Sequence, residues 1–197
     1  MNNNYISNAI ATLQRLPGVG GKTAQRYVIH MLEQKDTTLK SVINTLENLY
    51  NNVKHCELCN NYSVDVLCDI CSSSKRENSL CIIENVISLW NIEEGGFHKG
   101  RYFIIDNLFE NININTNQSM AKISNIINKL EIKEIIVALS LNIKSTTIQH
   151  ALLRYLQDKH ADIKVSTLAQ GIPIGSDLEY IDNATLFTAF KGRTIVK

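Results

Sequence analysis

The amino-acid sequence predicts a multi-part α+β protein: a helical N-terminal region, a small four-cysteine module, a larger α/β domain with a mostly parallel sheet, and a C-terminal loop-helix tail. Three observations carry this. Apolar residues recur at helical spacing up to residue 53, four cysteines stand as C-x2-C-x8-C-x2-C from Cys56 to Cys71, and beyond Leu80 short Ile/Val-rich runs alternate with helix-length amphipathic segments. At 197 residues and 22.2 kDa the chain can bury a core in one large domain with small attachments. No apolar stretch is long enough to span a membrane, and the start, MNNNYISNAIATLQRLPG, has no basic segment ahead of an apolar run, so the cytoplasm is the expected location.

The first element is a helix from about residue 5, with Ile6, Ala9, Ile10, Leu13 and Leu16 on one side and Pro17-Gly18 as its stop. A second begins near Gly21 and presents Ala24, Val28, Met31 and Leu32 to the first, so the two form a helical hairpin joined by PGVGG. Glycines there permit positive φ and leave backbone N–H groups uncovered at a helix start, where orphan donors and the helix dipole favour an anion. Lys22 and Arg26, four apart, share one face of that helix and can both reach a phosphate backbone. A formal net charge of +1 gives no global polyanion footprint, yet residues 1 to 35 hold Arg15, Lys22, Arg26 and Lys35 against Glu33 alone. Any polyanion site is local. The stretch L-P-G-V-G-x-K-T-A resembles the helix-hairpin-helix motif, which grips a DNA backbone without reading sequence; Gly18, Gly20, Lys22 and Arg26 are the DNA-binding candidates.

A third helix is predicted from about Thr37 to Val53, with Leu39, Ile43, Leu46, Leu49, Tyr50 and Val53 as its stripe. It leads into the two cysteine knuckles. Cys56, Cys59, Cys68 and Cys71 have the spacing to close a tetrahedral thiolate site around one Zn²⁺, and with all four positions filled by protein the ion is structural, not catalytic. Cys81, in the apolar run LCII, reads as a buried core residue.

From there the predicted order is strand 80–84, helix 85–93, strand 101–105, a helix carrying Ile123, Ile126, Ile127 and Leu130, strand 134–140, helix 145–160 and strand 163–168, an open and mostly parallel α/β sheet. The Asn-rich stretch 106–117 reads as a mobile surface loop. This part resembles Toprim domains, metal-dependent folds with a catalytic Glu after the first strand and an acidic pair after a later one. Glu84 occupies the first position, but residues 135 to 157 contain no Asp or Glu. Mg²⁺ chemistry on a phosphodiester needs two or three convergent carboxylates, so no nuclease, primase or topoisomerase activity is expected and Glu84 is read as structural or residual. The rival reading is a metal-dependent Toprim enzyme acting on DNA.

The tail, GIPIGSDLEYIDNATLFTAFKGR, reads as a Gly/Pro loop followed by a helix capped by Asp182 or Asn183. Gly171, Pro173, Gly175, Leu178, Glu179, Tyr180, Asp182, Thr185, Leu186, Ala189, Gly192 and Arg193 match the ending of the RecR family of bacterial recombination mediators, and the resemblance covers essentially the whole chain. It implies four parts: a helix-hairpin-helix region for DNA binding and oligomerisation (1–54), a four-cysteine zinc finger (55–72), a Toprim-like α/β domain (79–170) and the tail (171–197). It further implies no enzymatic activity, a ring-shaped homo-oligomer, typically a tetramer, and a role with RecO and RecF in loading RecA onto single-stranded DNA coated by SSB during gap repair. RecR proteins usually carry Glu-x-Pro after the first strand and a Glu-Gly pair further on; here these read Glu84-Asn85-Val86 and Lys144-Ser145-Thr146.

Overall fold

The computed structural model describes residues 4–105, 118–140 and 142–194. The chain divides into two compact units, Met1–Val53 and Lys54–Lys197. In the first, α1 (Asn4–Leu13) and α2 (Gly21–Glu33) form the expected hairpin, followed by a π-helical turn (Lys35–Leu39) and α3 (Lys40–Asn52). Two boundaries differ from the sequence reading. α1 ends at Leu13, so Leu16 leaves the stripe and stands exposed, and the third helix starts at Lys40 after a widened turn that absorbs Thr37.

The larger correction concerns burial. Ala24 and Val28 are the only buried apolar residues described in this unit, whereas Tyr27, Ile29, Leu32, Ile43, Leu46, Leu49 and Tyr50 are exposed. The periodicity of α3 is correct, but the face it marks lies open because α3 packs mainly against the preceding turn, Lys35–Leu39, and not along α1 or α2.

The second unit begins with the short antiparallel pair β1 (Lys54–His55) and β2 (Tyr62–Ser63), then the single turn α4 (Asp69–Ser72). The α/β part follows as β3 (Ser79–Ile83), α5 (Val86–Gly95), β4 (Arg101–Ile104), α6 (Gln118–Lys129), β5 (Glu134–Ala138), α7 (Ile143–Lys159) and β6 (Lys164–Thr167). All four long strands are parallel in the order β4-β3-β5-β6, as the alternation of strand and helix requires. Residues 106–117, read from sequence as a mobile loop, lie outside the described residues.

Period-two alternation divides the core between the two faces of the sheet. Leu80, Ile82, Phe103, Ile135 and Val137 pack with Ile123 and Ile127 of α6 and Leu152 and Leu156 of α7, while Cys81, Ile83, Tyr102 and Ile104 pack with Leu89 of α5. Cys81 is buried as expected, and burial pushes its thiol up to about 12. Side chains cap the helices: Asn85 accepts from Ser88 N at 2.9 Å, Asn142 from Ser145 N at 2.8 Å, and Gly96, at φ +65°, closes α5 in the left-handed conformation. In the tail, α8 (Asn183–Lys191) is capped by Asp182, which accepts from Ala184 N and Thr185 N, both at 3.0 Å, and from Thr185 Oγ1 at 2.7 Å. The Thr185 hydroxyl and amide hold this carboxyl below its usual range.

Candidate functional sites: the helical hairpin, the cysteine cluster and the Glu84 corner

The hairpin turn is built from local hydrogen bonds. Val19 N donates to Leu16 O at 3.1 Å, Gly18 takes φ +78°, and Ala24 N donates to Gly20 O at 2.9 Å as α2 begins. Gly18 is therefore a conformational glycine. Gly20 is not: its backbone is extended at φ −78°, and a Cβ there would meet nothing within 4 Å. As N-cap it supplies no side-chain acceptor, so the first N–H groups of α2 remain open to an external one. Lys22 and Arg26 are exposed, and neither forms a salt bridge among the described residues. They border a surface hollow along α2 together with Gln25, Tyr27, Ile29 and His30.

The sulfurs of Cys56, Cys59, Cys68 and Cys71 lie within 4.8 Å of one another, and all four side chains are buried. Turn geometry brings them together. Asn60, in the left-handed region at φ +64°, reverses the first knuckle so that Cys56 N donates to Asn61 O at 2.7 Å and Asn60 N to Cys56 O at 3.0 Å. Amides then point at sulfur, with Asn61 N donating to Cys59 Sγ at 3.4 Å and Cys68 N to Cys56 Sγ at 3.3 Å, as ligating thiolates require. Without a cation the thiols resist joint ionisation: hydrogen bonding with Cys59 holds Cys68 low, while Cys59 and Cys71 are pushed high, first by hydrogen bonds within the cluster and then by burial. A divalent ion resolves that conflict by replacing the shared protons. Four buried sulfurs with amide donors around them fit Zn²⁺, and no position is left for substrate.

This module is fastened to the sheet. Ile104 N at the end of edge strand β4 donates to Cys59 O at 2.9 Å, and Asn60 Nδ2 donates back to Ile104 O at 2.9 Å. Leu58 packs into one sheet-face cluster and Ile70 into the other, so the knuckles cover the β4 edge from both sides. A second clamp was missed at the sequence level: Arg76 pairs with Glu93 at 2.5 Å and donates to Gly100 O at 3.2 Å, while Tyr102 Oη donates to Glu93 Oε1 at 2.7 Å. The Arg76 guanidinium holds the Glu93 carboxyl below its usual range, so Arg76 serves this carboxylate directly. Nothing in the sequence singled out this pair: Arg76 stands in the polar run SSSKRENS and Glu93 beside a second glutamate, Glu94.

Glu84, at the C-terminal end of β3, accepts from Ser140 N at 3.0 Å, from Ser140 Oγ at 2.5 Å and from the buried Ser145 Oγ. Burial pushes this carboxyl up, but the Ser140 and Ser145 donors outweigh it and hold it below the usual value. Both oxygens are thus engaged at the corner where β3, β5 and α7 meet. Among the described residues the four cysteines are the one group of three or more His, Cys, Asp or Glu side chains placed to hold a metal.

A helical hairpin with open amides, a closed four-cysteine module and a parallel α/β sheet with a single serine-bound carboxylate at its switch corner define a multi-part α+β protein with a metal-binding cysteine module. Family models match in the same order: the RecR helix-hairpin-helix over residues 6–49, the RecR four-cysteine zinc finger domain over 53–73 and the RecR C-terminal region over 171–194. The chain is 36% identical over 194 residues to the recombination protein RecR of Neorickettsia sennetsu, covering 97% of this chain and 98% of that one. It is 36% identical to that of Francisella philomiragia (98% and 96% covered) and 35% identical to that of Mycoplasmopsis pulmonis (98% and 100% covered). The chain belongs to the RecR family; its role lies in recombinational DNA repair, and its cofactor is a structural zinc ion. No helix among the described residues is long and apolar enough to cross a membrane.

Proposed function

We propose that this protein is a non-enzymatic, DNA-binding recombination mediator of the cytoplasm that acts in repair of single-strand gaps, helping RecA load onto SSB-coated single-stranded DNA together with RecO and RecF. The observation that carries DNA binding is the α1–α2 turn: Gly18 sets the reversal, Gly20 leaves amides bare where nothing in the fold needs a glycine, and Lys22 and Arg26 stand exposed beside them. Contacts of this kind go to phosphates and are indifferent to sequence and to strandedness. Cys56, Cys59, Cys68 and Cys71 are the four zinc ligands of the module at 55–72, between the DNA-binding and oligomerisation region (1–54) and the Toprim-like domain (79–170), with 171–197 as tail.

The same reading takes the protein as a homo-oligomer, a tetrameric ring. Its support is the uncovered apolar face of α3 and the exposed Ile174, Leu178, Tyr180, Phe187 and Phe190 of the tail, more apolar surface than a monomer keeps without use. Copying one weak basic turn around a ring multiplies its hold on DNA without any stronger single contact. The deciding experiment adds the protein, with RecO and RecF, to RecA and SSB-coated single strands and follows RecA assembly. Acceleration is the expected result, and DNA cleavage, relaxation or nucleotide incorporation by the protein alone in Mg²⁺ would replace the mediator with a Toprim enzyme. The engagement of both Glu84 oxygens by serine donors weighs against that outcome.

A further inference from the structure

The zinc module carries a surface feature that its metal does not explain. His55 and Tyr62 are directly opposite in the β1–β2 pair, hence on one face, and their rings contact each other at 4.9 Å between centroids with a 33° tilt. Both are exposed, Tyr62 by 54%, where a folding role would bury them. The imidazole is fixed: its Nδ1 lies 2.9 Å from Asn60 O, and because a carbonyl only accepts, Nδ1 carries the hydrogen. A cation stands beside it, since Lys122 Nζ of α6 donates to Asn60 Oδ1 at 3.4 Å, placing the ammonium and the imidazole on two oxygens of the same residue. Asn60 is itself held by the Ile104 carbonyl, so the group is rigid. Lys54 belongs to the opposite face of the pair.

We infer that the His55–Tyr62 ring pair, with Lys122 beside it, is a stacking platform for an unpaired base of single-stranded DNA, a second contact separate from the phosphate grip of the α1–α2 turn. This deepens the DNA-binding reading above and rests on it. An exposed ring pair offers a π-face to any base, and a neighbouring ammonium matches the phosphate that accompanies it; duplex DNA, whose bases are already stacked, has nothing to add to the platform. The turn would then hold either form of DNA, and the zinc module would favour the single strand. Exposed Val64 and Val66 nearby make a protein partner the competing occupant.

The test uses the full-length, zinc-loaded protein with a fluorescent oligothymidylate and a blunt duplex at matched salt. Tyr62→Ala, an exposed substitution, is expected to weaken oligothymidylate binding roughly 5- to 20-fold, at the low end of what one stacked base contributes, and to leave duplex affinity unchanged. Tyr62→Phe, which keeps the ring, retains wild-type affinity, and Lys122→Gln lowers the single-strand salt slope by about 0.7. Unchanged oligothymidylate affinity in Tyr62→Ala overturns the inference and leaves the patch to a protein, as does an equal loss on duplex. If wild-type protein bound neither DNA, the mediator reading itself would fail, and that result is distinguishable because it precedes any substitution.

Discussion

Lys22 and Arg26 are exposed and unpaired among the described residues, so removing them tests binding without disturbing packing. Lys22→Ala with Arg26→Ala is expected to flatten the dependence of log affinity on log salt by roughly 1.5 units, at about 0.7 to 0.9 per phosphate contact. An unchanged slope would remove the turn from the DNA interface. Two histidines contribute to the sensitivity to mild acid, above the range in which the depressed carboxylates of Glu84 and Glu93 titrate. Burial holds both His98 and His160 below the ordinary imidazole value of 6.5. An imidazole depressed in the fold stays neutral there while the unfolded chain takes up a proton, so the stability it contributes is full above the unfolded value and is lost as pH falls. The thermal midpoint is expected to decline between about pH 7.5 and pH 5.5, and to decline less in His160→Gln.

Two contacts tie elements together across the α/β part. Glu84 joins the ends of β3 and β5 to the first turn of α7, and its loss strands the Ser145 hydroxyl, which is only 5% exposed. Glu84→Ala should cost about 1 to 3 kcal/mol of stability, the range for leaving a buried donor unpaired, while DNA affinity stays near wild type and Mg²⁺ shifts the midpoint of neither protein. A Mg²⁺-dependent rise in wild type alone would identify Glu84 as a metal ligand. The edge strand β4 depends on zinc in a comparable way, because its terminal amide, Ile104 N, donates to Cys59 O. One zinc per chain is expected. Cys56→Ser should lose it, lower the midpoint and speed hydrogen exchange at Ile104, whereas slow exchange in zinc-free protein would show that the knuckle holds its shape without metal.

At the scale of the whole molecule the open question is what covers α3. Leu46 and Leu49 are 58% and 57% exposed, so charging them leaves the protomer's own packing intact. On the proposal that α3 lies at the subunit interface of a ring, Leu46→Glu with Leu49→Glu should reduce the mass measured by light scattering and weaken DNA binding through lost multivalency, with the zinc content unchanged. Retention of the wild-type mass would move the subunit interface elsewhere, with the exposed Tyr180, Phe187 and Phe190 of the tail as the next place to look.

Sequence alone determined whatever depends on local spacing. The C-x2-C pairs specify a thiolate site and the tail announces a helix capped by Asp182 or Asn183, because each is settled within a few residues along the chain, while the alternation of Ile/Val runs with helix-length segments specifies a mostly parallel sheet, because each crossover must return the chain to the same end of the sheet. What only the tertiary structure decided are the pairings between residues far apart: Glu84 with Ser140 and Ser145, Arg76 with Glu93, Cys59 with the edge of β4, and Lys122 beside His55 through Asn60. Periodicity fixes which face of α3 is apolar but not what lies against it. Hydrophobic patterning reports a need for burial, and only the arrangement of neighbouring surfaces decides whether the same chain meets that need.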